Sequence, residues 1–276
     1  MRGIGELVLG ANWDRARSLL KYWSYRIAPP VAGWLHARLH RTRMRHWREH
    51  ASTIAAEIDP QSQAVALSAA CGGDTEVGRI VDLAYRFSAV APNQNRSEII
   101  ALLERLAERR PAVLCEIGSA EGGTLFLFAQ AARPDARLLS IDVRNAPERA
   151  ERFRSLVRPG QQLTCFDGNS HDLEVVRRFR DWLGSDRLEF LFIDGDHTAE
   201  GVERDFEMYG PSVRNGGLVA FHDIVPDFRT RYGVDTGNDA GGVPMYWQHL
   251  KSRYPQAVEF VDHRLQDGRG IGLIEV

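Results

Sequence analysis

The sequence predicts an α/β fold: a seven-stranded, mostly parallel sheet with helices on both faces, an antiparallel terminal strand and an N-terminal helical appendage. Three observations predict it. From residue 112 onward, short apolar runs alternate with stretches of helical periodicity, the pattern of βα units. The first run leads through a glycine turn straight into a helix. The last two runs are separated only by residues 262–269, too short for a crossover helix, so they pair antiparallel.

Residues 112–127 read A-V-L-C-E-I-G-S-A-E-G-G-T-L-F-L. The run over 112–117 is a buried strand broken by Glu116, and a helix follows over 125–132. Between them Gly118, Ser119, Gly122 and Gly123 form a turn that brings backbone N–H groups to a ligand. Position 120 is Ala, so the G-x-G-x-x-G dinucleotide spacing is absent. Further strands are expected over 138–142, 162–167, 188–194, 217–222, 258–261 and 270–275. Helices are expected over 173–183, 199–209 and 245–254. Upstream, apolar positions predict a helix within 75–87 and another over 98–110, with Ser97 as its N-cap.

In an open doubly wound sheet, ligands bind beyond the carboxyl ends of the strands. Polar residues collect there in this sequence. Asp142 lies 20 residues beyond Gly122, near the spacing at which a carboxylate meets a ribose diol. Asp167, Gly168 and Asn169 suit an adenine edge. Asp194, His222 and Asp223 end adjacent strands, where a carboxylate pair and a third ligand suit a hard divalent cation. His197, three residues beyond Asp194, can serve as general base. Residues 224–243, rich in glycine, read as a lid over the acceptor. Phe228, Arg229, Tyr232 and Trp247 are substrate-contact candidates, Trp247 being equally a core residue.

The run I-D-G-D-H-T-A-E-G-V-E-R-D-F, followed by G-G-L-V-A-F-H-D, resembles the cephalosporin-hydroxylase-like and macrocin-type O-methyltransferases, a Rossmann-like class I group (methyltransferase family 24-like). The layout is also similar to metal-dependent catechol-type enzymes. The resemblance covers roughly 95–276. It implies an enzyme that transfers a methyl group from S-adenosyl-L-methionine (SAM) to a hydroxyl of a small molecule or glycan. It implies cofactor contacts from Glu116, Gly118, Ser119, Gly122, Gly123, Asp142, Asp167, Gly168, Asn169 and Asp194. It further implies Asp194 and His197 as catalytic, with a divalent metal, magnesium or another, on Asp194, His222 and Asp223. His222 stands where these families carry an acid, so zinc, iron or manganese also suits the set, or His222 is itself the base with no metal. Rival readings are an NAD-dependent oxidoreductase and an inactive membrane-associated binding protein of the same fold.

The chain has 276 residues and a formal net charge of -2, unevenly spread: residues 1–50 carry +7, the remainder -9. Four of the six tryptophans also fall in 1–50. This predicts three parts: a basic, Trp-rich helical appendage (1–50), a helical cover or linker (51–94) and the methyltransferase domain (95–276). A basic helix with Trp34, Leu35, Leu39 and Trp47 suits an anionic membrane surface, or the cover of a domain or dimer mate. No nucleic-acid partner is expected, and a homo-oligomer is a candidate state. Three widely spaced cysteines, no apolar run of spanning length and no secretory pattern predict a cytoplasmic protein, with a candidate peripheral contact at the inner face of the membrane.

Overall fold

The computed structural model describes residues 59–276. The expected appendage (1–50) and the first part of the expected cover lie outside the described residues. Three helices come first: α1 (Pro60–Cys71), α2 (Val77–Ala84) and α3 (Arg96–Arg109). The alternating unit follows as β1 (Val113–Ile117), α4 (Gly123–Ala131), β2 (Arg137–Asp142), α5 (Pro147–Arg154), β3 (Gln162–Asp167) and α6 (Leu173–Leu183). It continues with β4 (Leu188–Ile193), α7 (Ala199–Tyr209), β5 (Val213–His222), α8 (Phe228–Tyr232) and α9 (Val243–Arg253). It ends with β6 (Val258–Phe260) and β7 (Ile271–Glu275).

The seven strands form one sheet in the order β3-β2-β1-β4-β5-β7-β6. β1 to β5 pair in parallel, and β7 runs antiparallel to both β5 and β6. The α/β class, the seven strands and the antiparallel terminal strand are as the sequence predicts. Strand order reverses at the β1/β4 boundary, which fixes where a ligand crevice opens.

Alternate strand residues separate into two cores. On one face Leu114, Leu138, Phe190, Phe192 and Leu273 pack against α1 to α4. On the other, Cys115, Leu139, Leu191, Val219 and Ile274 pack against α6, α7 and α9. That division is the period-2 consequence of a sheet buried on both sides.

Four local features correct or complete the reading of the sequence. α3 begins at Arg96 with Asn95 as its N-cap residue; the Ser97 hydroxyl is 2.9 Å from Asp262 Oδ1 and caps nothing. α5 was not expected, because only Ala150 and Phe153 of its eight residues are buried and they leave no apolar stripe. The expected lid contains α8, capped by Asp227, whose Oδ1 accepts from Thr230 N at 2.7 Å. Trp247 is wholly buried in the core, its Nε1 donating to Glu259.

Candidate active site

The glycine turn and the end of β4 are built against each other. Gly118 has φ 83°, and a Cβ there would fall 1.9 Å from the Asp194 carbonyl oxygen, so only glycine fits. Gly122 has φ 90°, and its Cβ would meet the Phe153 ring at 2.6 Å. Ala120, where the dinucleotide pattern has glycine, is nonetheless left-handed at φ 42°. Its strain is offset locally: Ala120 N donates to Asp142 Oδ2 at 3.0 Å and its carbonyl accepts from Arg149 at 2.7 Å. Ser119 is buried, with its hydroxyl 2.7 Å from that of Ser140.

Asp142 thus has a structural role in the turn. Its Oδ1 accepts from Arg144 N at 2.9 Å, so each oxygen already holds one backbone amide. A carboxylate has about four lone-pair directions, which leaves room for a ribose diol. At the β3 end Asp167 and Asn169 are exposed, and Asn169 Oδ1 takes the His171 amide at 2.9 Å. Glu116 is buried; burial pushes its carboxyl up to about 8. The Thr124 and Ser119 hydroxyls oppose that shift, though neither makes a well-formed hydrogen bond to it.

At the ends of β4 and β5, two carboxylates meet two imidazoles. His222 Nδ1 lies 3.1 Å from Asp194 Oδ1 and 3.2 Å from Asp223 Oδ2. His197 Nε2 lies 3.5 Å from each of the same two oxygens. Asp223 is held at φ 60°, a strained conformation for a non-glycine residue, and its Oδ1 accepts from Arg269 N at 2.9 Å. The Asp239 carbonyl accepts from His197 Nδ1 at 2.5 Å. That bond places the proton of a neutral ring on Nδ1 and leaves the Nε2 lone pair facing the carboxylates.

The charges are strongly coupled. Burial works against ionising Asp194, but His222 and His197 outweigh it and bring the carboxyl down to about 2. Hydrogen bonding to Asp194, aided by Asp223, raises His197 to about 9 against partial burial. His222 is almost fully buried, which disfavours its charge, yet Asp194 and Asp223 hold it well above the ordinary imidazole range. Its Nε2 has no hydrogen-bond partner among the described residues.

Asp194, His197 and Asp223 each offer a ligand atom, and these atoms all lie within 4.8 Å of one another. The donor set, two carboxylate oxygens plus imidazole nitrogen, fits a divalent cation that keeps open positions. The sequence grouped His222 with the two acids; the structure brings His197 to them as well.

Two residues of this neighbourhood escaped the sequence reading. Gln94 Nε2 donates to Asp194 Oδ2 at 3.2 Å, from chain that precedes α3. Asp205 on α7 is completely buried, 3.2 Å from His171 Nε2, with its carboxyl raised by burial. The spacing V-E-R-D on a helix face could have flagged Asp205; nothing near Gln94 marks it.

Residues 115–224 match the family model described as a methyltransferase domain, which bears out over that span the resemblance read from the sequence. An uncharacterized protein of Acanthamoeba polyphaga mimivirus is 31% identical over 140 residues, 46% of this chain. The chain spans 59% of that curated relative's length. Among solved structures, the O-methyltransferase TomG from Streptomyces achromogenes, involved in tomaymycin synthesis and in complex with SAM, superposes with TM-score 0.49 at 20% identity, over 74% of this chain and 91% of that one. An O-methyltransferase from Bacillus cereus in complex with S-adenosylhomocysteine (SAH) gives 0.49 at 14% identity, over 84% and 97%.

Proposed function

We propose that this chain, whose residues 115–224 match a methyltransferase domain, is a SAM-dependent O-methyltransferase acting on a hydroxyl of a small molecule or glycan. The observation that carries the reading is the Asp194/His197/Asp223 cluster with His222, set against a glycine turn that only Gly118 can complete. We assign residues 95–276 to the catalytic domain, 51–94 to a cover and 1–50 to an appendage.

SAM would lie over the turn of Gly118, Ser119, Gly122 and Gly123, with Asp142 on its ribose hydroxyls and residues 167–169 at the adenine. Glu116 lies buried beneath the cofactor's cationic end. The acceptor hydroxyl enters from the side on which His197 is one-third exposed. His197 Nε2 would take the hydroxyl proton, and SAM, when bound, would supply the methyl group to the oxygen, its sulfur keeping the electron pair of the broken carbon–sulfur bond. The products would be SAH and a methyl ether, and the imidazolium would return its proton to solvent. Alignment of oxygen, methyl and sulfur supplies roughly several kcal/mol of the rate.

A divalent cation fits Asp194 and Asp223, with His222 as third ligand; it would lower the pKa of the acceptor hydroxyl and fix its position. The acid–base balance supports such a cation. With the carboxylate charges unopposed, His197 stays protonated to about 9 and cannot accept a proton at neutral pH. Positive charge on those carboxylates lowers that value and frees the base. A second reading, with His197 as the third ligand and His222 as the base, is favoured by the mutual closeness of the Asp194, His197 and Asp223 ligand atoms.

The test is a thermal-shift panel with SAM, SAH and NAD, followed by methyl-transfer assays on hydroxyl acceptors with and without chelator. SAM and SAH should raise the melting temperature and NAD should not. Stabilisation by NAD alone would return the chain to the oxidoreductase reading. Loss of turnover on chelation supports the metal; unchanged turnover removes it.

A further inference from the structure

Chain that precedes the methyltransferase domain closes one side of the cleft. A Cβ on Gly123 would meet Pro92 N at 2.4 Å and Val90 O at 2.6 Å, so the segment over 90–92 lies directly on the glycine turn. Two bonds fix its continuation. The Tyr85 hydroxyl donates to the Gln94 carbonyl at 2.7 Å, and Asn93 Oδ1 accepts from Arg269 Nη2 at 3.2 Å.

Between these anchors the Gln94 side chain is 3% exposed and points at the site. Its Nε2 donates to Asp194 Oδ2 at 3.2 Å. The Asp194 carboxylate accepts that bond, so the amide NH2 faces it. The amide carbonyl is thereby fixed, and Gln94 Oε1 is buried with no hydrogen-bond partner among the described residues. A buried carbonyl left unpaired is costly, so the position calls for a donor. The neighbouring Asp194 carboxylate is an acceptor too. A lining made of acceptors selects a cation rich in N–H donors.

We propose that Gln94 binds the α-ammonium at the amino-acid end of SAM through Oε1, while its Nε2 aligns Asp194. This rests on the methyltransferase reading. It makes the cover a working part of the cofactor site: α2 and the segment after it hold the amide, and the domain beginning at residue 95 supplies the rest.

The experiment is calorimetry of the full chain with two probes, SAH and 5′-methylthioadenosine, which shares the nucleoside and the thioether but lacks the amino acid. Gln94→Met keeps length and loses both polar atoms. It should weaken SAH by roughly tenfold, the size of one lost hydrogen bond to a charged group, and leave 5′-methylthioadenosine unchanged. Gln94→Glu keeps an acceptor and should bind SAH more tightly than Gln94→Met does; it also serves as the test if the methionine variant does not fold. Equal SAH affinity in wild type and Gln94→Met overturns the proposal, as does equal weakening of both probes. If the wild type binds neither probe, the cofactor reading itself fails, a result visible before any variant is made.

Discussion

His197 and His222 face the same two carboxylate oxygens, yet their surroundings differ, and the proposed roles follow that difference. The His197 side chain is 33% exposed and its Nδ1 is fixed by the Asp239 carbonyl, as a base that must meet an acceptor requires. His222 is 3% exposed and can meet only what lies between the carboxylates. His197→Ala should therefore lower kcat by roughly 10²–10⁴ and leave SAH and metal affinity intact. His222→Ala should weaken metal affinity, with activity partly regained at high metal concentration. Metal titrations of both variants decide the matter, and the reversed pattern would exchange the two roles. Glu116 gives a second prediction at this scale. Its folded-state value of about 8 stands above its ordinary 4.5, so the fold prefers the protonated carboxyl. That contribution is complete below pH 4.5 and is lost as pH rises through 8. With no ligand added, Glu116→Gln should melt with the wild type near pH 5 and several degrees above it at pH 9. A melting difference that does not vary with pH would remove Glu116 as the titrating group.

At the scale of elements, the loop after β5 braces His197, which itself follows β4. Gly241 has φ 52°, and a Cβ there would lie 2.1 Å from the His197 carbonyl oxygen, while Gly242 N donates to that same oxygen at 2.7 Å. The loop is closed on itself by Asp227, which is 1% exposed; Oδ1 accepts from Thr230 N and Oδ2 from Ala240 N, both at 2.7 Å. Asp227→Ala strands two amides and should cost about 2–4 kcal/mol, with faster hydrogen exchange over 228–242 and a lower kcat. Protection unchanged over that loop would show that Asp227 does not hold it. None of this pinning is legible in the sequence, where 224–243 shows glycines and charges without a period. Strands and most helices were legible because burial on both faces writes apolar runs and stripes of fixed period, as in α6 and α7. α5 was not, since Phe153 and Ala150 alone leave no stripe. The polar strand ends, Asp142, Asp194 and the His222–Asp223 pair, were readable from position alone. Gln94 was not, because its role depends on a contact across 100 residues of chain.

The whole molecule is divided by charge, and that division makes the appendage testable. Residues 1–50 carry +7 and residues 51–276 carry -9, so an anionic surface attracts the first part and repels the second. No helix among the described residues is long and apolar enough to cross a membrane. Each basic residue near an anionic leaflet contributes about 1 kcal/mol, an attraction that falls away within a Debye length. The full chain should then sediment with vesicles containing phosphatidylserine at low salt and release as ionic strength rises. Vesicles of phosphatidylcholine alone should retain much less. A chain starting at Ser52 should stay in solution under all these conditions, because its remaining charge opposes binding. Both chains should have equal SAH affinity, since both keep the segment over 90–92 that lies on the glycine turn. Co-sedimentation of both chains alike would place the membrane contact in the domain, against its charge. Solubility of both alike would leave residues 1–50 as a cover or a dimer contact, which sedimentation equilibrium of the two chains would then distinguish.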